Sequence, residues 1–385
     1  MVRHLFVPYP MHGHVNPMVP LVAELVRRGD QVLVAVPAPY ADGFREVGGE
    51  VTEIEATVPT TFPAVPTKED RARMRRAGLS MIRQRPRIAR ELRRHWPVWK
   101  PDVVVADLAA RWGAMAARRE GTPLASFSVT YTASEQMVVD GLRARRSARY
   151  VRNLRRLGLL KQFHPALRDR AGLALVNAMD EMQPRRETFG ERYHFVGPLL
   201  RDTTTYGDSD LPWGRIRTGP TLFVSPGTVF ACAPGFFRRV ADGFAGTEWT
   251  VVMATATFDP DELGPLPENV VARRFVPQTP LLAHSSVFVT RASMNSAMEA
   301  LLREVPMIAV PRAYDQKGVA ARLRQMGVAR DLPETSDGAA FLAAARELVA
   351  DESVRSAVRR LAEPIRNLNP AAAAADALQH FALRR

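Results

Sequence analysis

The sequence has almost none of the residues that would mark it as secreted, membrane-spanning or redox-active. Among 385 residues there is one cysteine, Cys232. An intramolecular disulfide is excluded, and a lone thiol argues for a reducing, cytoplasmic setting. No apolar run approaches the roughly 18 residues a membrane-spanning helix requires. The opening MVRHLFVPYP passes straight into a strand-like run whose apolar part is too short for a secretory signal. There is no G-x-G-x-x-G, which argues against a nicotinamide or flavin cofactor. No metal-ligating cluster stands out. The D-x-D at Asp208-Ser209-Asp210 lies in a polar stretch with no strand after it, so no metal is expected there. Acids are fewer than bases, 40 against 53, giving a net charge of +13. No nucleic-acid-binding signature accompanies that charge, so arginine-rich solvated helix faces are the simpler account and no nucleic-acid partner is expected. Basic helices read over 71–100 and 143–156 leave contact with an anionic membrane surface as an alternative.

What is present is a strand–helix rhythm. The length and a 46% hydrophobic content suit two domains of ordinary size. Residues 3–9 read as a strand, 11–17 (MHGHVNP) as a glycine-containing loop, 18–28 as a helix ended by Gly29, and 31–36 as a second strand. Residues 56–67, rich in proline and threonine, read as a loop. Residues 102–107 (DVVVAD) and 123–128 read as buried strands around a helix over 109–119, and 173–177 and 194–196 as later strands of the same domain. Residues 201–219 lose periodicity and read as a linker. A second domain over 220–364 opens with the strand 221–225 and the turn Ser225-Pro226-Gly227-Thr228. The expected fold class is α/β, two facing Rossmann-like domains with a cleft between them.

The most informative stretch is 275–316, FVPQTPLLAHSSVFVTRASMNSAMEALLREVPMIAVPRAYDQ. It predicts a loop, a strand over 286–290, a turn at Arg291-Ala292-Ser293, a helix over 294–303 and a strand over 307–310. A strand feeding a helix N-terminus offers free N–H groups and a favourable dipole to an anion. Gln278, Glu299, Asp315 and Gln316 surround it with groups suited to ribose and sugar hydroxyls.

The stretch resembles the nucleotide-sugar-binding region of family 1 glycosyltransferases, in the branch that acts on macrolides and other antibiotics. The family pattern is [W/F]-V-P-Q, then H-x-x-x-F-V-T-H-G-G-x-N-S-x-x-E-A, then V-P-x-x-x-D-Q. Phe275-Val276-Pro277-Gln278, His284, Phe288-Val289-Thr290, Asn295-Ser296, Glu299-Ala300, Val310-Pro311 and Asp315-Gln316 match it. MHGHVNP, DVVVAD with its following WG, FVGP and SPGTVF also look like their counterparts, so the resemblance spans nearly the whole chain. The departure is Arg291-Ala292-Ser293 where the family has His-Gly-Gly. The resemblance implies the GT-B fold, an acceptor-binding first domain, a nucleotide-sugar-binding second domain and a final helix over 365–385 that crosses back to the first.

It also implies roles. His14 is the general base that takes the proton of the acceptor hydroxyl, and Asp107 its partner; a helix cap is the alternative for Asp107. Ser225 and Thr228 face the diphosphate and sugar. Phe275, Val276 and Gln278 meet the base and ribose, and Glu299 bridges the ribose hydroxyls, with a first-turn dipole acid as its alternative. Asn295 and Ser296 open the donor helix. Asp315 and Gln316 hold the hexose. Arg291 is read as a bidentate phosphate ligand in place of the family's histidine. The implied reaction is inverting and metal-independent transfer of a hexose or deoxyhexose from a TDP- or UDP-sugar to a hydroxyl of a polyketide-type small molecule, with no cofactor. Two alternatives remain at this level: a donor-blind homologue that binds a small molecule or a partner protein, and a transferase with a lipid acceptor.

Overall fold

The computed structural model describes every residue except 60, 65, 145, 163, 202–209, 228 and 385. Two compact units emerge. The first combines Met1–Val58, Ala77–Arg201 and Asn369–Arg385; the second combines Pro59–Arg76 and Asp202–Leu368. The sequence reading kept residues 59–76 with the first domain. They group with the second, where Phe62 pairs with Phe230 in a parallel bridge and stacks on it at 5.1 Å. The region read as linker contains a helix, Trp213–Thr218, anchored by buried Ile216. The terminal helix Pro370–Leu383 belongs to the first unit.

The first unit is built on a parallel sheet. Its strands are β1 (Arg3–Val7), β2 (Gln31–Val36), β3 (Glu50–Glu53), β4 (Val103–Asp107), β5 (Leu124–Ser128), β6 (Leu173–Val176) and β7 (Tyr193–Phe195). Their order is β3-β2-β1-β4-β5-β6-β7. Central strands such as VVVAD are buried along their whole length, as expected of a sheet covered on both faces. Alternation sends successive side chains to opposite faces. Phe6, Val103, Val105 and Phe127 meet Met18, Leu21 and Val22 of the helix Met18–Arg27 and Ala374, Ala375 and Leu378 of the terminal helix. Leu5, Val7, Val104 and Ala106 meet Ile88, Leu92, Trp112 and Ala116 on the other face. The terminal helix is also fixed by polar contacts: Arg28 Nη2 donates to the Ala372 carbonyl at 3.1 Å, and Gln379 Nε2 donates to Asp30 at 2.7 Å.

The helix Arg111–Glu120 lies so close to the sheet that a Cβ on Gly113 would stand 2.9 Å from the Cβ atoms of both Ala106 and Val7. Gly113→Ala is therefore an overpacking change, expected to destabilise the first unit by about 1–3 kcal/mol. Denaturant melts of the two proteins check this; coincident curves would mean the helix can rise without loss.

The second unit repeats the plan with β8 (Thr221–Ser225), β9 (Thr250–Ala254), β10 (Val270–Arg273), β11 (Val287–Thr290), β12 (Met307–Ala309) and β13 (Ala329–Asp331), ordered β10-β9-β8-β11-β12-β13. In each sheet the winding direction reverses once, between β1 and β4 and between β8 and β11. Such switch points open a crevice at the carboxyl ends of the strands, where ligands of α/β sheets bind. Among the described residues no helix is long and apolar enough to cross a membrane. The apolar side of the basic helix Ala148–Arg156 is covered, since Val151 and Leu154 pack with Val139 and Leu160.

Candidate functional site

His14 and Asp107 meet at the switch point of the first sheet. The loop after β1, read from sequence as glycine-containing and without helix, contains one helical turn, His12–Val15, started when the Met11 carbonyl accepts from the His14 and Val15 amides at 2.8 and 2.9 Å. That turn presents His14 to the end of β4, where His14 Nδ1 stands 2.8 Å from Asp107 Oδ2. The Asp107 side chain is 2% exposed and the His14 side chain 24%. Asp107 is not the cap of the following helix, whose N-cap position is Ala110 with no side-chain bond. Its second oxygen, Oδ1, accepts from the Ala109 amide at 2.8 Å and so is locked in place. A carboxylate facing Nδ1 makes that nitrogen the donor and leaves the lone pair on Nε2.

The sequence reading passed over Tyr9. Its ring lies 5.2 Å from that of His14 and stacks on Trp112 at 6.0 Å. Its hydroxyl donates to the Met81 sulfur at 3.1 Å. Burial, helped by the Asp107 charge, pushes the Tyr9 phenol up to about 12, so it stays neutral at physiological pH. Its position just past a strand that ends at the switch point was the available signal. His12, read as a plain loop residue, is exposed and packs edge-on against Tyr40 at 5.1 Å.

In the second unit the residues singled out follow the carboxyl ends of β8, β10, β11 and β12. Thr290 and Ser225 are register partners, which brings the turns after β8 and β11 side by side. Gly227 in the first turn has φ +80°, a conformation glycine adopts without strain. Thr228 lies outside the described residues. In the second turn Ala292 is fully buried with φ +56°, where a residue with a Cβ pays about 1–2 kcal/mol. Ser293 caps the helix Met294–Leu302, accepting from the Ser296 amide at 3.4 Å with the two hydroxyls 3.0 Å apart. Asn295 and Ser296 lie in its first turn.

Gln278 opens a short helix, Gln278–Leu282, and its Nε2 donates to Glu299 Oε2. Burial, partly offset by that bond, raises the Glu299 pKa above its usual value. Val276 is buried, while Phe275 is 53% exposed.

Two expectations meet a different geometry. Asp315 and Gln316 are not in a loop but in the first turn of the helix Tyr314–Gln325. Asp315 is exposed, but Gln316 is 6% exposed and its Oε1 accepts from the Arg312 and Ala313 amides at 2.9 and 3.0 Å. Its oxygen therefore holds the loop before the helix. Arg291, read as facing phosphate, is turned inward and 2% exposed. Its Nη1 donates to Glu334 Oε2 at 2.8 Å and to the Val310 carbonyl at 3.1 Å, and Nη2 donates to the Ala231 carbonyl at 3.2 Å. A guanidinium buried beside a carboxylate and backbone oxygens lowers its desolvation cost in that position. Glu334, the anion that draws it in, carried no motif in the sequence.

Residues 221–371 match the family model described as UDP-glucoronosyl and UDP-glucosyl transferase. The oleandomycin glycosyltransferase of Streptomyces antibioticus is 30% identical over 374 residues, covering 91% of this chain and 84% of that protein. This chain belongs to the family 1 glycosyltransferases. Another relative of this glycosyltransferase, the NDP-glycosyltransferase YjiC of Bacillus licheniformis, is 29% identical over 97% of this chain and 96% of its own length. Among solved structures, CalG4, the calicheamicin glycosyltransferase, superposes with a TM-score of 0.78 at 29% identity, covering 100% of this chain and 99% of that one. The fold class is GT-B, and the family acts with a nucleotide-sugar donor and a small-molecule acceptor.

Proposed function

We propose that this glycosyltransferase moves a hexose or deoxyhexose from TDP- or UDP-sugar to a hydroxyl of a polyketide or macrolide-type acceptor, with inversion at the anomeric carbon. The observation that carries the reading is the 2.8 Å contact between His14 Nδ1 and Asp107 Oδ2 at the switch point of the first sheet. In the proposed step the acceptor oxygen attacks the anomeric carbon while His14 Nε2 takes its proton. The bond from that carbon to the diphosphate oxygen breaks, and the nucleoside diphosphate leaves with its electron pair. Asp107 orients the ring and stabilises the imidazolium.

The donor is assigned to the second unit. Glu299, held by Gln278, accepts from ribose hydroxyls; Phe275 offers its exposed ring to the base, beside Val276. Ser225, Thr228, Asn295, Ser296 and the N–H groups opening the helix Met294–Leu302 meet the diphosphate. Asp315 and the amide of Gln316 are assigned to the sugar hydroxyls. No metal ion is assigned a part, because the helix N-terminus supplies the positive potential. The oleandomycin and calicheamicin transferases support the acceptor class by similarity.

A matrix of TDP- and UDP-sugars against macrolide and other polyketide aglycones, read by mass spectrometry with and without a chelator, tests the reading. Transfer is expected from α-linked donors to give a β-linked product, assigned from its anomeric coupling constant. An α-linked product would overturn inversion, and loss of transfer on chelation would overturn metal independence.

A further inference from the structure

Four loops at the carboxyl edge of the second sheet are tied together by one side chain. Arg291 follows β11. Its guanidinium reaches Ala231 in the loop after β8, Val310 at the end of β12 and Glu334 beyond β13. The Ala231 carbonyl also accepts from Arg312 Nη1 at 3.0 Å, so two cations converge on one backbone oxygen. Arg312 Nη2 in turn donates to the Pro63 and Ala64 carbonyls, each at 2.6 Å. Phe62 completes the grip. Its amide donates to the Val229 carbonyl at 2.6 Å, and its carbonyl accepts from the Ala231 amide at 3.0 Å.

We propose that Arg291 and Glu334 are positioning residues for the donor: their buried pair, with Arg312 and residues 62–64, fixes Ala231 in the loop after β8 so that Ser225 and Gly227 present a preorganised face to the nucleoside diphosphate. The inference rests on the donor assignment made above. Ala233, the N-cap of the helix that follows, makes no side-chain bond, and buried Cys232 anchors the same loop beside Glu334. A loop that must be ordered each time the ligand arrives binds it more weakly than one ordered beforehand. Arg291 Nε lies buried with no partner among the described residues, which fits a side chain whose placement is dictated by its two terminal nitrogens. The brace also accounts for arginine at this position. A histidine has neither the reach nor the number of donors to join Glu334, Val310 and Ala231 at once.

The test separates a brace from a direct phosphate ligand. Arg291→Ala, Arg291→Lys, Glu334→Ala and Glu334→Gln are compared with the wild type by titration with TDP and UDP, by steady-state kinetics and by thermal melts. The brace predicts that Arg291→Ala and Glu334→Ala each weaken nucleotide binding at least tenfold, and that the double variant is no worse than the weaker single one. Donor KM should rise while acceptor KM and kcat hold, and Arg291→Lys, which can keep Glu334 but not all three partners, should recover part of the loss. Glu334→Gln keeps an acceptor oxygen for Nη1 and serves where an alanine variant melts below the assay temperature; it is expected to show a smaller rise in donor KM. Unchanged or tighter binding in both Glu334 variants, with weaker binding only in Arg291→Ala, would overturn the brace in favour of a guanidinium released onto phosphate. Equal affinities throughout would overturn it as well. A wild type that binds neither nucleotide would remove the donor assignment and this inference with it.

Discussion

Asp107→Asn is expected to lower kcat/KM by on the order of 10²–10⁴-fold, with nucleotide affinity unchanged. The size follows from the two bonds Asp107 makes. Oδ1 accepts from the Ala109 amide and Oδ2 faces His14 Nδ1, both at 2.8 Å. An asparagine has one carbonyl oxygen for these two places. The backbone amide can only donate, so the oxygen stays with Ala109 and the NH2 group turns to His14. Nδ1 must then accept, the ring proton moves to Nε2, and the base is lost. His14→Ala removes the base outright and should fall within the same range. Steady-state rates and calorimetric titration with TDP and UDP check both. A near wild-type rate in either variant would remove the dyad from the mechanism; a loss of nucleotide binding equal to the loss of rate would mean that the first unit acts through the donor.

Glu299→Gln is the second large effect, and it should separate binding from stability. A carboxylate that accepts hydroxyl protons contributes about 1.5–3 kcal/mol, so the amide should bind UDP roughly 10- to 150-fold more weakly. Gln278 donates to the same side chain, so the new oxygen is drawn to Gln278 and the NH2 faces the ribose. TDP lacks the 2′-hydroxyl and should lose less than UDP. Stability should move the other way. Burial raises the folded-state pKa of Glu299 above 4.5. Its contribution is then fully present below about 4.5 and is lost as pH rises through the folded value, because the ionised form is disfavoured in its recess. Glu299→Gln should therefore melt higher than the wild type near neutral pH, with the advantage vanishing by about pH 4.5. Melts across that range decide it, and an advantage independent of pH would rule out titration as its cause.

The strands were legible because a parallel sheet covered on both faces demands short β-branched runs, and DVVVAD and SVFVT are such runs. The His14–Asp107 pairing was legible through the family pattern, and the geometry adds why Asp107 is fixed. Arg291 was not legible. Its direction is set by Glu334, 43 residues later in the chain, and a long side chain goes where its counter-ion is. Gln316 was misplaced for a similar reason: at the third position of a helix its oxygen satisfies two amides of the preceding loop before any sugar is present. The affiliation of residues 59–76 was hidden because the proline- and threonine-rich part of the segment has no period, and its anchors, Phe62 on Phe230 and the Pro63 and Ala64 carbonyls on Arg312, lie far along the chain.

The terminal helix has a consequence for how the chain is made. Residues 369–385 complete a unit whose other segments end at residue 201. The ribosome must therefore translate 202–368 before the missing piece exists. At roughly 5–20 residues per second that interval is on the order of 10–30 s. Throughout it the place that Ala374, Ala375, Leu378 and Ala382 will occupy, beside Met18 and Leu21, is an uncovered apolar groove on the nascent protein. The second unit, with no such gap in its sequence beyond residue 202, can finish first. In this enzyme the second unit is fully synthesised before the first one is, and the nascent groove is the surface a chaperone would have to shield in the meantime.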